Sequence, residues 1–241
     1  SGGYNWDKFV TFCIKNSLYG LENLSGIPGT VGAGPIQNIG AYGEEISDYI
    51  EHVEVFNFKT GNIEMLNNIN CNFEYRNSFF KENKHLFIKN IFFKLKDKFV
   101  ANNSYQDLQA YRFKKASEQR EMVLKIRNQK LENHLAKPNV GSFFKNPLIK
   151  KKDLKILLSQ EADLKFYKHK ALIKVSAAWL IERCNLKGFQ LNKARVSKKH
   201  SLVLINEDKT PYSILKLKNK IKAKVLYKFN IRLEEEPTII Q

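Results

Sequence analysis

The chain has 241 residues, enough for one or two buried cores, and its 43% hydrophobic content with 17 Phe and 10 Tyr excludes a disordered polymer. The formal charge of +17 raises nucleic-acid binding, but the lysines read as spread along the chain among Asn, Ile and Phe, the signature of codon drift in an AT-rich genome. Cys13, Cys71 and Cys184 are odd in number and none sits in a C-x-x-C, which signals neither a disulfide framework nor a metal site. With no apolar run near the roughly 20 residues of a membrane span, the expectation is a cytoplasmic protein with no membrane partner.

In chain order, Trp6, Phe9, Val10, Cys13 and Ile14 recur at helical spacing, predicting an amphipathic helix over residues 5–18. "IEHVEVFNFKTGNIEML" alternates about Thr60-Gly61 and predicts a hairpin, and "HLFIKNIFFKLK" predicts a buried strand. A helical pattern covers Tyr111 to Lys130, and Pro138 marks a break near the start of a second unit. Beyond it, Ser176 is placed to cap "AAWLIERCNLK" and Gly188 to end it. Thr210-Pro211 opens a helix with Ile214, Leu217, Ile221 and Val225 on one face, and the chain closes on an extended "NIRLEEEPTIIQ". The fold class is α+β, without internal repeats.

The feature this outline leaves unexplained is "SGIPGTVGAGPIQNIGAYG", Ser25 to Gly43, which carries no charged side chain; seven of the 12 glycines lie from Gly20 to Gly43. Glycine admits positive φ and lets a ligand touch the main chain, so such a loop can aim backbone N–H groups at a phosphate or a planar ring. It is neither a Walker loop nor a G-x-G-x-x-G of the dinucleotide-binding kind, and composition alone favours a structural loop over a binding one. "GSFFKNP", Gly141 to Pro147, joins a hydroxyl, two aromatics, a lysine and an Asn-Pro turn. Taken singly, Ser142 reads as a turn residue, and Arg76 and Glu236 read as surface charges.

Taken in order, "SGIPGTVGAGPIQNIGAYG", "YRNSFFK", "GSFFKNP", "AAWLIERCNLKG", "HSLVLIN" and "LEEEP" resemble the UDP-N-acetylenolpyruvoylglucosamine reductase (MurB) family from residue 1 to 241. The resemblance implies an FAD-binding domain of the PCMH/vanillyl-alcohol-oxidase type over residues 1–130. It implies a smaller α+β substrate-binding domain over 131–230, and a C-terminal strand, 231–241, returning to the active site. It also implies FAD and NADPH as cofactors, a monomer, and reduction of UDP-N-acetylglucosamine enolpyruvate to UDP-N-acetylmuramate in peptidoglycan precursor synthesis.

Carried over by position, the loop would hold FAD through Ile27, Pro28, Gly29, Gly32, Gly34, Ile36, Gln37, Asn38, Gly40, Ala41 and Gly43. Arg76 matches the catalytic cation, Ser142 the proton donor and Glu236 the carboxyl partner. Alignment on the following "PTII" favours Glu236, while strand alternation leaves Glu234 on the same face and removes Glu235. Tyr105 matches the tyrosine that covers the substrate, and Lys130, Asn146 and His200 match contacts to its diphosphate. Two departures stand out: "LENH" replaces the family's L-P-[DE]-P, and the chain opens where the family's first FAD subdomain is ending, about a third of the way along. An inactive remnant of the enzyme, and a basic nucleic-acid-binding protein, are the competing expectations.

Overall fold

The computed structural model describes residues 1–239, and the chain divides into two compact units, Ser1–Arg127 and Asn128–Gln241. The first unit opens on α1 (Trp6–Lys15), whose N-cap Asn5 accepts from the Lys8 N–H and whose Trp6, Val10 and Cys13 face inward. The glycine-rich segment follows as a series of tight turns, with a two-strand ladder of β1 (Gly40–Ala41) and β2 (Glu44–Glu45) near its end. Next come β3 (Ile50–Asn57) and β4 (Ile63–Asn67), the expected hairpin, then the short α2 (Phe79–Glu82) and β5 (Leu86–Phe93), in a sheet ordered β4-β3-β5 with antiparallel pairs throughout. Alternation along β3 sends Val53 and Val55 into a core with Trp6, Val10, Leu24, Val31 and Ile46. The Trp6 indole N–H is satisfied inside that core by the Leu24 carbonyl at 2.8 Å.

A second, smaller cluster gathers Leu108, Val123 and Ile126 under α3 (Ala116–Lys130). This helix starts five residues later than the sequence pattern suggests. The Glu118 carboxylate accepts from the Lys114 and Lys115 N–H groups and so caps the helix there, while Tyr111 and Phe113 stack on each other ahead of it.

The second unit contains β6 (Leu148–Ile149), α4 (Lys151–Gln160), β7 (Phe166–His169), β8 (Leu172–Val175), α5 (Ala177–Arg183), β9 (Gln190–Leu191), β10 (Ala194–Val196), β11 (Leu204–Asn206) and α6 (Tyr212–Phe229). Its two antiparallel sheets run β6-β8-β7 and β11-β10-β9. The i, i+4 stripe Leu217, Ile221, Val225 and Phe229 of α6 packs into one core with Trp179, Leu180 and Leu204. Ser176 caps α5 as expected, accepting from the Trp179 N–H. The helix ends at Arg183 rather than at Gly188, because Asn185 takes the left-handed conformation (φ 55°) that closes it; Gly188 (φ 73°) serves the turn into β9. In the segment expected as a strand over 231–241, the described residues form one bridge, Phe144 with Glu235. Ile231 and Leu233 are nonetheless buried while Arg232 and Glu234 are exposed, which is strand-like alternation; Ile240 and Gln241 lie outside the described residues.

The division also corrects the reading of the charge. Ser1–Arg127 carries 16 Lys and Arg against 14 Asp and Glu, whereas Asn128–Gln241 carries 25 against 10, so nearly all of the +17 belongs to the second unit.

Glu22 in the first core is 3% exposed, with Oε2 accepting from the Gly20 N–H and Oε1 lacking a partner. Burial pushes its carboxyl pKa up. For an acid raised in the folded state, the stabilising contribution is complete below the unfolded value of about 4.3 and is lost as pH rises through the folded value. Glu22→Gln should therefore flatten the decline of the thermal midpoint above pH 5 and match or exceed the parent at pH 8. A constant loss at every pH would contradict this.

Candidate functional site

In the first unit the glycine loop is held by a clip. The segment Glu74–Ser78 bonds it at three points: the Asn38 amide donates to the Glu74 carbonyl (3.1 Å), the Ser78 hydroxyl to the Ile36 carbonyl (2.7 Å), and the Arg76 guanidinium to the Gly40 carbonyl (2.5 Å). Asn38 is itself buried and left-handed, and it also donates to Glu45 and accepts from the Ser47 N–H. Of the nine described non-glycine residues with positive φ, five are Asn, which tolerates it; Tyr42 (φ 48°) and Arg76 (φ 55°) are bulky, and each takes part in a hydrogen bond that fixes it, Asn23 to the Tyr42 carbonyl and Arg76 to the Gly40 carbonyl. The Arg76 guanidinium also lies over the Tyr75 ring, 5.2 Å from its centroid. At the loop's far end Tyr42 meets Tyr105 edge-on, 5.4 Å between ring centroids. Of the expected site residues, Arg76, Tyr105 and the loop from Ile27 to Gly43 are thus brought together in this unit.

The loop's glycines divide into two kinds. At Gly32 a Cβ would stand 3.1 Å from the Gly2 backbone, at Gly34 it would strike Ile46, and at Gly40 it would strike Arg76 at 2.7 Å. At those three the protein's own packing leaves little room for a side chain. Gly29 differs: its φ of 118° excludes other residues, yet open space lies where a side chain would go. That open backbone at Gly29, on an uncharged loop to which a guanidinium is fastened at Gly40, is compatible with the approach of an anionic cofactor. Ile27, Pro28, Ile36, Gln37, Ala41 and Gly43 belong to the same loop. The start of the loop is tied down by Asp7, which accepts from the Gly26 N–H (2.6 Å) and takes Arg120 in a two-pronged pair at 2.7 Å. The Arg120 side chain holds the Asp7 carboxyl below its usual range.

In the second unit, "GSFFKNP" is laced into neighbouring backbone on two sides. Ser142 bridges Val203 and the Phe143 N–H donates to the Leu202 carbonyl; on the other side Glu236 N–H donates to Phe143 and Lys145 N–H to Glu234, both at 2.9 Å. Ser142 and Glu236 are therefore near neighbours on adjoining segments. The three consecutive acids are set apart by their surroundings. Glu235 is taken by Lys218 and Lys222, which hold its carboxyl below the usual range despite partial burial, and Glu234 is largely exposed beside Lys145. Asn146 turns its side-chain oxygen onto the Ala177 N–H at the start of α5. His200 accepts the Leu202 N–H on Nδ1, which leaves the proton of the neutral ring on Nε2. Lys130 is the last residue of α3 and is exposed.

Sequence reasoning passed over Tyr42, Asn23, Asn102 and Gln119, which hold the loop end and Tyr105 together. The one sequence cue was an aromatic directly before Gly43. Among the described residues no three His, Cys, Asp or Glu side chains are placed to hold a metal, and no helix is long and apolar enough to cross a membrane.

Residues 1–67 match the family model described as FAD binding domain, and residues 133–240 match that of UDP-N-acetylenolpyruvoylglucosamine reductase, C-terminal domain. The chain is 42% identical to the UDP-N-acetylenolpyruvoylglucosamine reductase of Buchnera aphidicola subsp. Baizongia pistaciae, an alignment covering 99% of this chain and 74% of that protein. It is also 42% identical to the reductase of Neisseria meningitidis serogroup C, covering 98% of this chain and 71% of that one. The crystal structure of the Thermus caldophilus reductase is similar in fold, with a TM-score of 0.67 at 22% identity, covering 98% of this chain and 69% of that chain. Matched in this way along nearly its whole length, the chain belongs to the UDP-N-acetylenolpyruvoylglucosamine reductase family of FAD-dependent oxidoreductases.

Proposed function

We propose that the protein reduces UDP-N-acetylglucosamine enolpyruvate to UDP-N-acetylmuramate, with FAD and NADPH, as a step of peptidoglycan precursor synthesis. The observation that carries this reading is Arg76: an otherwise unremarkable cation in sequence, it is held in a left-handed conformation against the Gly40 carbonyl of the glycine loop. When bound, FAD supplies the two-electron carrier between NADPH and substrate. Addition of hydride to the vinyl carbon drives negative charge towards the substrate carboxylate, and a fixed guanidinium is suited to stabilise it. Ser142 is the proton donor to the neighbouring carbon, and Glu236 is the acid that helps stabilise or protonate the developing enolate.

Tyr105 covers the substrate in this reading, with Lys130, Asn146 and His200 on its diphosphate. The second unit's large positive excess suits a doubly charged nucleotide-sugar. Asn146, with its carbonyl oxygen given to Ala177, has its amide oriented for donation, and His200 has its proton on Nε2, so both have the polarity that phosphate oxygens need.

Two measurements test these assignments. Gly29→Ala meets no neighbouring atom but forces an L side chain into a strained φ of 118°, so the thermal midpoint should fall modestly, and flavin absorbance per folded chain should be reduced as well. Gly32→Val, driven against Gly2, should lower the thermal midpoint whether or not flavin is present. Full flavin occupancy in Gly29→Ala would move the cofactor away from this backbone.

In the flavin-loaded enzyme, stopped-flow half-reactions separate the catalytic roles. Ser142→Ala and Glu236→Gln should reduce flavin with NADPH at nearly the parent rate while slowing reoxidation by the enolpyruvyl substrate about 10²-fold or more. Glu234→Gln should be mild in both halves, and Glu235→Gln should cost stability through its two lysines instead. Equal slowing of both halves by Ser142→Ala would remove it as proton donor.

A further inference from the structure

One buried face of α3 is apolar except at a single position. Ala116, Val123 and Ile126 line it, and Gln119, 2% exposed, stands among them. A primary amide in such a stripe is costly unless every polar atom is engaged, and Gln119 is engaged. Its Nε2 donates to Asn23 Oδ1 (2.6 Å) and to the Asn102 carbonyl (3.3 Å), and its Oε1 accepts the Asn102 N–H (3.2 Å). Asn23, 1% exposed, carries the connection onward, donating from Nδ2 to the carbonyls of Tyr42 (3.0 Å) and Asn102 (3.1 Å).

Asn102 is the node of this network. Its main chain is gripped by Gln119 and Asn23, its Nδ2 donates to Glu44, and its Oδ1 accepts the Ser104 N–H (3.2 Å) and hydroxyl (2.7 Å). Six residues on, Leu108 is fully buried against Val123 and Ile126 of the same α3 face. The segment carrying Tyr105 is therefore pinned to α3 on both sides, by a polar anchor three residues before the tyrosine and an apolar one three residues after. The same Asn23 amide that holds Asn102 also holds the carbonyl of Tyr42, the left-handed aromatic whose ring Tyr105 meets edge-on.

We propose that Gln119, acting through Asn23 and Asn102, is the positioning residue for the Tyr42–Tyr105 pair: it fixes the tyrosine that closes over the nucleotide-sugar against the end of the cofactor loop. An apolar side chain would fill the α3 stripe equally well, so packing alone does not call for glutamine here; simultaneous grip on two separate loops does. The inference rests on the reading that Tyr105 covers the substrate.

The test labels the chain with 3-fluorotyrosine and follows the Tyr42 and Tyr105 resonances, assigned through Tyr42→Phe and Tyr105→Phe, beside calorimetric binding of UDP-N-acetylglucosamine. Gln119→Met keeps the apolar face and deletes the grip. It should shift or broaden both resonances while the remaining tyrosines stay put, and weaken binding about as much as Tyr105→Ala does, of order tenfold. Adding Tyr105→Ala to Gln119→Met should bring no further loss, because both remove the same contact. Where Gln119→Met does not fold, Asn102→Ser at the half-buried node removes the bonds to Glu44 and Ser104 and should move the same two resonances. A folded variant with both resonances unmoved overturns the proposal. Moved resonances with unchanged affinity in both Gln119→Met and Tyr105→Ala uphold the positioning and overturn the substrate reading of Tyr105.

Discussion

The clip between residues 74–78 and 36–40 is the constraint on which the first unit's candidate site depends. A glycine-dense, uncharged loop has many accessible conformations, and ordering it costs more backbone entropy per residue than any other composition. The chain offsets that cost with bonds from outside the loop. Asp7 takes the Gly26 N–H, Ser78 and Arg76 take the Ile36 and Gly40 carbonyls, and Asn23 takes the Tyr42 carbonyl. Because Arg76 is one of the fasteners, the cation assigned to catalysis is located by the same bond that shapes the loop. Loop geometry and charge placement are then one property, and a side chain at Gly40 would disturb both at once.

The second unit solves its part of the problem with backbone pairing. Ser142 to Lys145 is bonded on one side to Leu202 and Val203 and on the other to Glu234 through Glu236, so the hydroxyl and the carboxylate are positioned by main-chain register rather than by loops of their own. Sites on such elements hold their geometry better than sites on free loops. The pairing of Glu235 with Lys218 and Lys222 does for the C-terminal acids what the clip does for the glycine loop, fixing which of three adjacent side chains points where.

Much of this was legible in sequence wherever the signal is local. The periodicities of α1, the β3–β4 hairpin and α6 reported the elements directly, and the motif order reported the family. Boundaries set by a single side chain were not: the Glu118 cap delays α3 and Asn185 ends α5 early, and neither changes the hydrophobic pattern. The glycines show the limit most clearly. Gly29 and Gly32 look alike in sequence, but Gly32 is bare because Gly2 touches it and Gly29 because its φ demands it, and only the fold brings Gly2 there. The Gln119 network joins positions 96 and 17 residues apart, beyond any local pattern. The concentration of positive charge in the second unit was countable from the sequence once the chain was divided there.

The central claim is that polar bonds from the 74–78 segment hold the loop in the shape that receives FAD. Ser78→Ala tests it most directly, since it deletes one fastener, the bond to the Ile36 carbonyl, without altering charge or touching the residues assigned to chemistry. Losing one such bond is worth about 1 kcal/mol. FAD affinity measured by calorimetry should fall roughly fivefold, with faster amide exchange confined to residues 36–40. Undiminished affinity together with accelerated exchange in the loop would show that FAD does not depend on this shape, and would contradict the account.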